Sequence, residues 1–369
     1  MFHLSCSLHK KQKLKTAIPY NNMVKKILVF NVGSSSIKYS LFEDLNLTDS
    51  GNFEKLKTKE DYSKSVEEIF KKIDGNHISF IVHRVVHGGD LKKPSKITKE
   101  TKEKIKEYSE FAPLHNPKQL MVIELCEKYK KTQYAVFDTM FFSEIPDVAK
   151  FYAIPKDITK KYGIKRYGFH GLSHEYVSRD LKGKTITCHL GSGSSISAIL
   201  NKKPIDTTMG FTPSEGLIMG TRSGTIDPGI IFFLERKGYN AQEVLTEKSG
   251  LKGLTGFNDF RDILSKMKKN KNCKLAYDML VYNISKIIGS YVSALNGLDN
   301  LVFTAKIGEN VPRLREDVCK HFSFLGIEID KKKNNSNAEI ISSKKSRIKV
   351  FVKKTNEEKM AVEEVLKIL

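Results

Sequence analysis

One strand–loop–strand pattern occurs twice in the chain and limits its possible folds more than any other feature. Residues 27–42 read ILVFNVGSSSIKYSLF and residues 185–200 read TITCHLGSGSSISAIL, with Gly191 standing where Gly33 stands. Each pattern has an apolar run, a Gly/Ser interruption and a second apolar run, which predicts two strands joined by a tight loop. We expect one extra residue in the second loop. Unless the similarity is accidental, the repeat implies two related domains with a ligand between them.

Both loops have a composition that suits anion binding. Glycine lets a ligand approach the backbone closely, and serine hydroxyls and free N–H groups can donate to phosphate oxygens. Neither loop is a P-loop, because the G-x-x-x-x-G-K-[ST] pattern is absent and each loop leads into a strand instead of a helix. The sequence therefore predicts a phosphate-binding fold of another kind.

The segments between and after the loops alternate between helical and extended patterns, which predicts an α/β architecture. Apolar residues recur at helical spacing in residues 63–73, 97–108 and 276–298. Apolar runs of strand length occupy residues 78–82, 133–137 and 300–304. The last of these strands leads into a predicted glycine turn at residues 307–310 and a helix from Pro312, an arrangement that suits an anion.

Length and composition favour a two-domain protein of the reducing cytoplasm. With 369 residues, 40% of them hydrophobic, the chain is too long for one ordinary core. No apolar stretch is long enough to predict a membrane span. The cysteines are spaced as in neither a zinc site nor a disulfide framework; they are Cys6, Cys126, Cys188, Cys273 and Cys319.

The positive charge of the chain is spread along its length. The formal net charge is +21, but the lysines form neither a single patch nor an aromatic-interleaved stripe, so nucleic acid is not the expected partner. A positive field of this kind raises the local concentration of anions. Residues 1–22 contain four lysines, no acidic residue and no secretory apolar run, so we expect a leader or a mis-assigned start, with the first domain beginning at Met23.

Four polar clusters interrupt apolar runs where a core would be expected to continue. They are HRVVHGG (83–89), FDT (137–139), YGFH (167–170) and MGTRSG (219–224). Arg84 has apolar neighbours and needs an anionic partner if it is buried; a structural carboxylate and a substrate are equal candidates. Phosphoryl transfer to a carboxylate needs cationic donors, a metal and in-line positioning, but no strong base. The clusters supply such groups, although other anion chemistry would use the same residue types.

Taken together, the motifs resemble those of the acetate kinase family, in the superfamily of actin, sugar kinases and heat-shock chaperone ATPases. Five segments carry the resemblance, in family order from about Lys25 onward. They are NVGSSSIK (31–38), HRVVHGG (83–89), RYGFHGLSHEYV (166–177), DTTMGFTPSEGLIMGTRSGTIDPG (206–229), and FTAKIGEN (303–310) with TNEE (355–358). The resemblance implies an α/β fold of two duplicated actin-like (ribonuclease H-like) domains with a ligand cleft between them.

The resemblance also implies domain limits and an activity. We expect an N-terminal domain at residues 23–145, on which a C-terminal helix at residues 358–369 packs back, and a nucleotide-binding domain at residues 146–357. The implied reaction is reversible phosphoryl transfer from ATP to acetate, giving acetyl phosphate and ADP, with Mg²⁺ or Mn²⁺ as cofactor. The implied setting is a cytoplasmic homodimer without nucleic-acid or membrane partners.

Site residues follow by position from the family motifs. The resemblance implies a catalytic group of Arg84, Asp138, His170 and Arg222. It implies an acid-binding site of Arg84, Val86, Leu114, Phe169 and Pro213. For the nucleotide it implies Lys38, His189, Gly191, Ser192, Gly193, Asp259, Phe260, Arg261, Lys306, Gly308 and Asn310. Asn31 and Glu357 are implied near the metal, with Ser34 and Ser36 in the same phosphate and metal loop.

The chain departs from the family pattern at several positions near these residues. Ser192 stands where asparagine is usual and Thr225 where aspartate is usual, and Met140 and Phe142 replace alanine and histidine. Lys306 replaces a glycine beside the expected phosphate position, so it either contacts phosphate or weakens the fit of the nucleotide. These changes bear on rate and nucleotide choice more than on reaction class.

Alternatives to this interpretation remain open at the level of sequence. A propionate or butyrate kinase would use the same catalytic groups with a deeper pocket, and a non-catalytic ATP-binding protein could share the fold. Leu114 and Phe169 could instead belong to the core, and His189 could be a buried structural histidine. The presence of both arginines with Asp138 and His170 favours an active kinase.

Overall fold

Two mixed β-sheets form the framework of the computed structural model, which describes residues 24–369; the leader expected at residues 1–22 lies outside them. The first sheet has the order β3-β2-β1-β4-β6-β5 and the second the order β11-β10-β7-β8-β9. The strands are β1 Lys26–Val32, β2 Ser36–Glu43, β3 Asn46–Glu54, β4 Phe80–Val85, β5 Ser95–Lys96, β6 Thr132–Phe137, β7 Lys184–Leu190, β8 Ser194–Leu200, β9 Lys203–Thr207, β10 Asn300–Thr304 and β11 Lys349–Val352.

The two sheets repeat one topology. In each, an antiparallel three-stranded meander (β1-β2-β3 and β7-β8-β9) is followed by two parallel strands beside its first strand (β4-β6 and β10-β11). Parallel neighbours need long crossover connections, and the helices that make these connections cover the sheets. The strand–loop–strand repeat in the sequence is therefore the start of a duplicated unit, as predicted.

The loop lengths differ from the expectation. In the first hairpin Val32 pairs with Ile37, so four residues lie in the turn, and in the second Leu190 pairs with Ser194, so three do. The prediction of an extra residue in the second loop is wrong, because Gly191 N–H donates to the Gly193 carbonyl and closes a tighter turn.

Fifteen α-helices pack around the sheets in the described residues 24–369. They are α1 Lys59–Lys72, α2 Lys99–Glu107, α3 Asn116–Cys126, α4 Asp147–Lys150, α5 Lys156–Tyr162, α6 Gly171–Ser178, α7 Pro228–Arg236, α8 Ala241–Glu247, α9 Gly250–Thr255, α10 Phe260–Lys266, α11 Lys271–Leu295, α12 Ala305–Asn310, α13 Pro312–Lys320, α14 Lys331–Asn335 and α15 Glu357–Leu366. No helix in this part of the chain is both long and apolar enough to cross a membrane.

Local sequence explains the boundaries of several helices. Thr58 and Asp61 form a reciprocal capping box at the start of α1, which satisfies backbone N–H groups that the helix itself leaves free. Along α11 the predicted apolar face is buried at Leu280, Ile284 and Ile288. The glycine turn predicted at residues 307–310 is wrong, because α12 begins directly after β10 and continues through Asn310.

Helix α15 belongs to the core of the first sheet although it lies at the far end of the sequence. Met360, Ala361, Val362 and Val365 are buried against β1, β4 and β6. Burying about four apolar side chains contributes several kcal/mol, at roughly 1.5–3 kcal/mol each. The helix therefore holds its first residues, Glu357 and Glu358, at the end of β1, where the first hairpin turns.

Candidate active site

The guanidinium of Arg84 is surrounded by side chains that come from three separate parts of the chain. Arg84 lies on β4 beside Asn31 of β1, and its Nη1 donates to Asn31 Oδ1 at 3.0 Å. Its Nε and Nη2 donate to the two carboxylate oxygens of Asp138 at 2.9 and 2.7 Å. Glu357 Oε2 lies 2.7 Å from Nη1. Arg84 thus has a structural carboxylate partner and also lines an open cavity; its role toward a substrate stays a prediction.

Negative charge exceeds positive charge around Arg84. Glu358 accepts from Asn31 Nδ2 at 2.8 Å and from Lys38 Nζ at 2.9 Å, which adds a third carboxylate to Asp138 and Glu357. Burial favours the neutral form of Arg84, but Asp138 and Glu357 outweigh it and raise its pKa. Burial, together with the charges of Asp138 and Glu358, raises the pKa of Glu357 to about 7. Three carboxylates therefore share two cations, and a further cation would stabilise the group.

These residues fit a hard divalent cation. Carboxylate and amide oxygens are its preferred donors, and Mg²⁺ keeps several waters and needs few protein ligands. Within residues 24–369 no three His, Cys, Asp or Glu side chains form a ready-made metal cage. The donor set of Asn31 and Glu357 matches a metal held jointly by protein, water and phosphate oxygens.

His170 lies opposite the carboxylates, at the start of α6. It has a left-handed backbone, with φ of 57°, and Gly171 follows it with its Cα against the Asp138 carbonyl, where any Cβ would clash. A side chain at residue 171 would therefore push His170 away from Asp138. Gly193 of the second hairpin makes a similar close approach, since a Cβ there would lie 3.4 Å from the His170 ring and 3.7 Å from Arg222 Nη1.

A buried chain of polar groups fixes the orientation of His170. His170 Nδ1 lies 2.9 Å from Ser195 Oγ, which lies 2.7 Å from His174 Nε2, and His174 Nδ1 lies 2.7 Å from Thr187 Oγ1. Burial and then the neighbouring His189 hold the pKa of His170 well below its ordinary value, and burial does the same for His174. Both imidazoles are therefore neutral near pH 7, and each has one N–H donor and one acceptor nitrogen.

A central cavity of 460 Å³ connects the carboxylate group, the histidines and α12. It is lined by Arg84, His170, His189, Ala305, Lys306, Glu309, Asn310, Thr355 and Glu357. Glu309 ties α12 in place, because its carboxylate accepts from the N–H groups of Ala305 and Thr355 at 2.9 and 3.2 Å. His189 stacks on His170 with ring centroids 4.1 Å apart, and burial lowers its pKa to about 3.

A second, lateral cavity of 620 Å³ contains Arg222 and part of the expected acid-binding site. Leu114 and Pro213 line it with Arg222, whose Nη1 donates to the Pro213 carbonyl at 3.0 Å. Val86 and Phe169 line neither cavity; they lie behind, in a buried apolar cluster with Tyr167 and Met219. The structure thus brings two of the four expected apolar residues to the cavity and places the other two in the packing beneath it.

The expected nucleotide residues are spread over several elements. Lys38, His189, Gly191, Ser192 and Gly193 lie on the two hairpins, and Lys306, Gly308 and Asn310 lie on α12. Asp259 caps α10 and binds the exposed guanidinium of Arg261. The hydrogen bonds from Arg261 lower the pKa of Asp259, and the charge of Lys306 adds to this effect. Phe260 is buried in the core of the second sheet, with its ring stacked on Tyr277. Asp259, Phe260 and Arg261 do not line the central cavity.

Sequence reasoning missed three side chains that the structure places at the site. Glu358 follows Glu357 in the TNEE segment and could have been included with it. Ser195 belongs to the second loop pattern, but nothing in the sequence points to its two histidine partners. His115, in the APLHNP segment, lines the lateral cavity, and burial and the charges of Arg222 and Arg84 lower its pKa to about 4.

Known proteins of one family resemble this chain in both sequence and structure. The acetokinase family profile matches residues 45–363. The chain is 42% identical to the acetate kinase of Thermoanaerobacterium thermosaccharolyticum, over 93% of this chain and 99% of that protein. Among solved structures it resembles Porphyromonas gingivalis acetate kinase (36% identity, TM-score 0.82, 93% and 99% coverage). It also resembles a Francisella tularensis propionate kinase (36% identity, TM-score 0.84, 92% and 98% coverage).

Proposed function

The chain belongs to the acetokinase family, and from this premise we propose that its two cavities bind ATP and a small carboxylic acid for phosphoryl transfer between them. The predicted actin-like fold class is confirmed, and so is the reaction class, a phosphotransferase with a carboxyl group as acceptor. Acetate is the acceptor named for its relatives. The roles given below to individual residues are proposals.

One observation carries the residue assignment: the central cavity brings Arg84, His170, Lys306 and Glu357 together from distant parts of the sequence. A phosphate chain requires cations and neutral donors, and its metal requires carboxylates. Both sets of groups face one space here, at the carboxyl ends of β1, β4 and β6 and of their counterparts β7 and β10, where ligands of such sheets bind.

We infer a direct, in-line transfer. A carboxylate oxygen of the acid forms a bond to the γ-phosphorus of ATP while the bond from that phosphorus to the bridging oxygen of ADP breaks. The acid is already ionised, so no proton has to be removed from it and no base is needed. Arg84 and Arg222 stabilise the charge on the phosphoryl oxygens during transfer, and Asp138 holds the guanidinium of Arg84 in place through two hydrogen bonds.

His170 serves as a neutral hydrogen-bond donor to the phosphoryl group. If Thr187 donates to His174, and His174 Nε2–H donates to Ser195, then the Ser195 hydroxyl donates to Nδ1 of His170. The proton of His170 then lies on Nε2, on the side of the ring away from Ser195. The reverse direction of all three bonds is also self-consistent, and a phosphoryl oxygen, which only accepts, selects the first direction.

ATP and, in general, a divalent metal are used by this family, and we propose Mg²⁺ here. Asn31 and Glu357 would hold it, and it would neutralise charge on the phosphate chain. Glu358 keeps Asn31 and Lys38 oriented toward this position through the hydrogen bond and the ion pair described above.

The direct test is a hydroxamate assay for acyl phosphate with acetate, propionate and butyrate in parallel. We expect acyl phosphate with ATP and acetate, and smaller amounts with the longer acids. Propionate is the second candidate because the lateral cavity beside Arg222 is larger than an acetyl group needs. Equal or greater turnover with propionate would reassign the acceptor, and no acyl phosphate with any of the three would contradict the proposal.

We also propose that the protein is a homodimer. Helix α7 exposes a group of large apolar side chains, Ile230, Phe232 and Phe233, with 43%, 56% and 51% of their surfaces accessible. Apolar patches of this kind on a folded chain commonly mark a protein interface. Light scattering should give twice the chain mass of 41.9 kDa, and Phe232→Glu should lower it to one chain. A monomeric parent protein would contradict this.

A further inference from the structure

Arg315, on α13, is a completely buried arginine that the proposed mechanism does not use. Its accessible surface is 0%, and it is the largest fully buried side chain of the described residues. Buried arginines normally pair with a carboxylate, because an isolated charge in a protein interior is costly. The partners of Arg315 are therefore informative.

All the acceptors of Arg315 are neutral oxygens. Nε and Nη2 donate to Asn334, to Oδ1 at 2.8 Å and to the carbonyl at 2.7 Å, and Nη2 also donates to Asn337 Oδ1 at 2.6 Å. Nη1 donates to the carbonyls of Gly308 and Glu309 at 2.8 and 2.9 Å. The five N–H groups thus have partners, but none of these neutralises the positive charge.

The position of Arg315 links it to the nucleotide side of the site. Its Nη1 holds the last turn of α12, whose residues Lys306, Glu309 and Asn310 line the central cavity. Burial lowers the pKa of Arg315 to about 10, so the group stays charged at neutral pH. A charge in a poorly solvated interior acts over a longer distance than one in water. The charge of Arg315 would therefore attract an anion bound in the central cavity.

We propose that Arg315 is a positioning residue for the phosphoryl donor: it fixes the last turn of α12, and its charge is balanced by the bound polyphosphate instead of by a carboxylate of the chain. This rests on the proposed function, since it takes ATP as the occupant of the central cavity. It predicts that the effect of Arg315 on binding grows with the number of phosphates, because the charge acts on the phosphates and not on the nucleoside.

The test measures dissociation constants by calorimetry for ATP, ADP and adenosine, in parallel with the hydroxamate assay on the parent protein. Arg315→Gln should weaken ATP binding by about tenfold or more, ADP binding by less, and adenosine binding by under about twofold, since charge-assisted interactions are roughly twice as strong as neutral ones. An equal loss for all three ligands, or no loss for ATP, would overturn the proposal.

Two variants at Asn337 separate charge from geometry and keep the test valid if Arg315→Gln does not fold. Asn337→Asp keeps an acceptor oxygen beside Arg315 Nη2 and adds a carboxylate that balances the charge of Arg315, so ATP should bind about threefold more weakly. The expected loss is smaller than for Arg315→Gln because residue 337 is exposed and solvent screens its charge. Asn337→Gly removes the bond without adding charge and suits the positive φ of 52° at this residue. It should leave ATP affinity within about 1.5-fold, because the two α12 bonds remain.

The outcomes for the pair at Asn337 are decisive. Weaker ATP binding in Asn337→Asp, with normal adenosine binding and a normal Asn337→Gly, supports the balancing of Arg315 by polyphosphate. The same loss in both variants would show that Arg315 only braces the fold. Parent protein that binds ATP with the expected pattern but forms no acyl phosphate would contradict the proposed function and leave the assignment of Arg315 standing.

Discussion

The two hairpins occupy equivalent places in the duplicated sheets, yet they hold their functional side chains in opposite ways. Two residues before the glycine, Asn31 pairs across the first hairpin with Lys38, and His189 pairs across the second with Ser195. Asn31 and Lys38 both bind the carboxylate of Glu358. His189 and Ser195 instead make neutral hydrogen bonds, to Ser173 and to two histidines of the α6 region.

This difference shows how one backbone pattern can serve two kinds of task. The first hairpin is partly open to solvent, so charged groups can remain ionised there and attract a cation and phosphates. The second hairpin is buried on β8, so its polar groups must be neutral and fully paired. We therefore expect substitutions in the first hairpin to change binding of the charged ligands, and substitutions in the second hairpin to change the orientation of His170.

The largest expected effect tests whether the two halves act together on the phosphoryl group. Arg84→Ala and Arg222→Ala should each lower turnover by about 10³, the size expected for an arginine on a transferring phosphoryl group. Lysine at either position should recover little, because a point charge lacks the planar donor geometry. The double variant should be less damaged than the product of the two losses. Steady-state hydroxamate assays measure this.

Arg347→Ala, at an exposed arginine, is the control and should retain the turnover of the parent protein. Turnover above about a tenth of the parent in Arg222→Ala would correspond to under roughly 1.4 kcal/mol of transition-state stabilisation. That result would remove Arg222 from the residues that act on the phosphoryl group.

The next effect separates the two hairpins directly. Ser195→Ala leaves ring nitrogens of His170 and His174 without partners, so turnover should fall by about 10- to 100-fold, and the Michaelis constant for ATP should stay within about twofold. Lys38→Met should do the reverse and raise the Michaelis constant for ATP by about tenfold, with a smaller change in turnover. Both are read from initial rates at varied ATP concentrations.

Ser197→Ala is a matched control on the same strand, where a buried hydroxyl bonds Thr207 at 2.9 Å. Ser197→Ala should lower the stability of the fold, and it should not change turnover or the Michaelis constant for ATP selectively. If Ser195→Ala and Lys38→Met change the same constant to the same extent, the contrast between the hairpins has no functional meaning.

A third effect concerns stability, in the first half. Burial lowers the pKa of His83 to about 4, and its bond to Gln133 acts in the opposite direction. In the unfolded chain the His83 imidazole has an ordinary pKa near 6.5, so between about pH 6.5 and 4 it is protonated there but neutral in the folded chain. The unfolded state therefore binds more protons, and the free energy of unfolding falls as the pH falls through that window. From pH 7 to 5 this amounts to about 2 kcal/mol.

His83→Gln removes this titration. Urea unfolding at pH 7 and pH 5 should therefore show a loss of stability on acidification that is smaller by about 2 kcal/mol in the variant than in the parent. The variant can be less stable at both values without affecting the test, because only the difference between the two pH values is used. An unchanged difference would show that His83 is not held neutral in the folded chain.

The smallest expected effect is at Lys306, on α12 of the second half. Lys306→Gly should raise the Michaelis constant for ATP by about threefold, as expected for a partly solvated charge, with little change in turnover. Lys306→Met keeps the bulk and removes the charge, so equal effects of the two variants identify the charge as the cause. A collapse of turnover with an unchanged constant for ATP would instead make Lys306 a catalytic group.

Much of the fold could be predicted because its signals are local. The alternation of apolar residues around Gly33 and Gly191 predicts two hairpins, and the apolar run at residues 300–304 predicts β10 to the residue. Helix α12 was missed because AKIGEN contains a glycine and no apolar period. Its stability comes from elsewhere, since the Glu309 side chain reaches back to the N–H of Ala305 and Arg315 binds its last turn.

The candidate site was only partly predictable, because its assembly depends on distant contacts. Resemblance to a family pointed to Arg84, Asp138 and His170, but no local pattern shows that Ser195 orients His170 or that Glu358 binds Lys38. Val86 and Phe169 illustrate the opposite case: their motif suggested a cavity wall, whereas packing placed them behind it. A motif indicates which part of the fold a residue belongs to, and tertiary packing determines whether its side chain reaches the ligand.

The packing of α15 on the first sheet also has a consequence for how the protein is made. Asn31 and its hydrogen-bond partner Glu358 are 327 residues apart in the chain. At about 5–20 residues per second, a ribosome needs on the order of tens of seconds to add α15 after β1. During that time the apolar face of the first sheet lacks its final cover, and contacts of such long range form slowly. The nascent first half should therefore be a substrate for chaperones until the last helix docks.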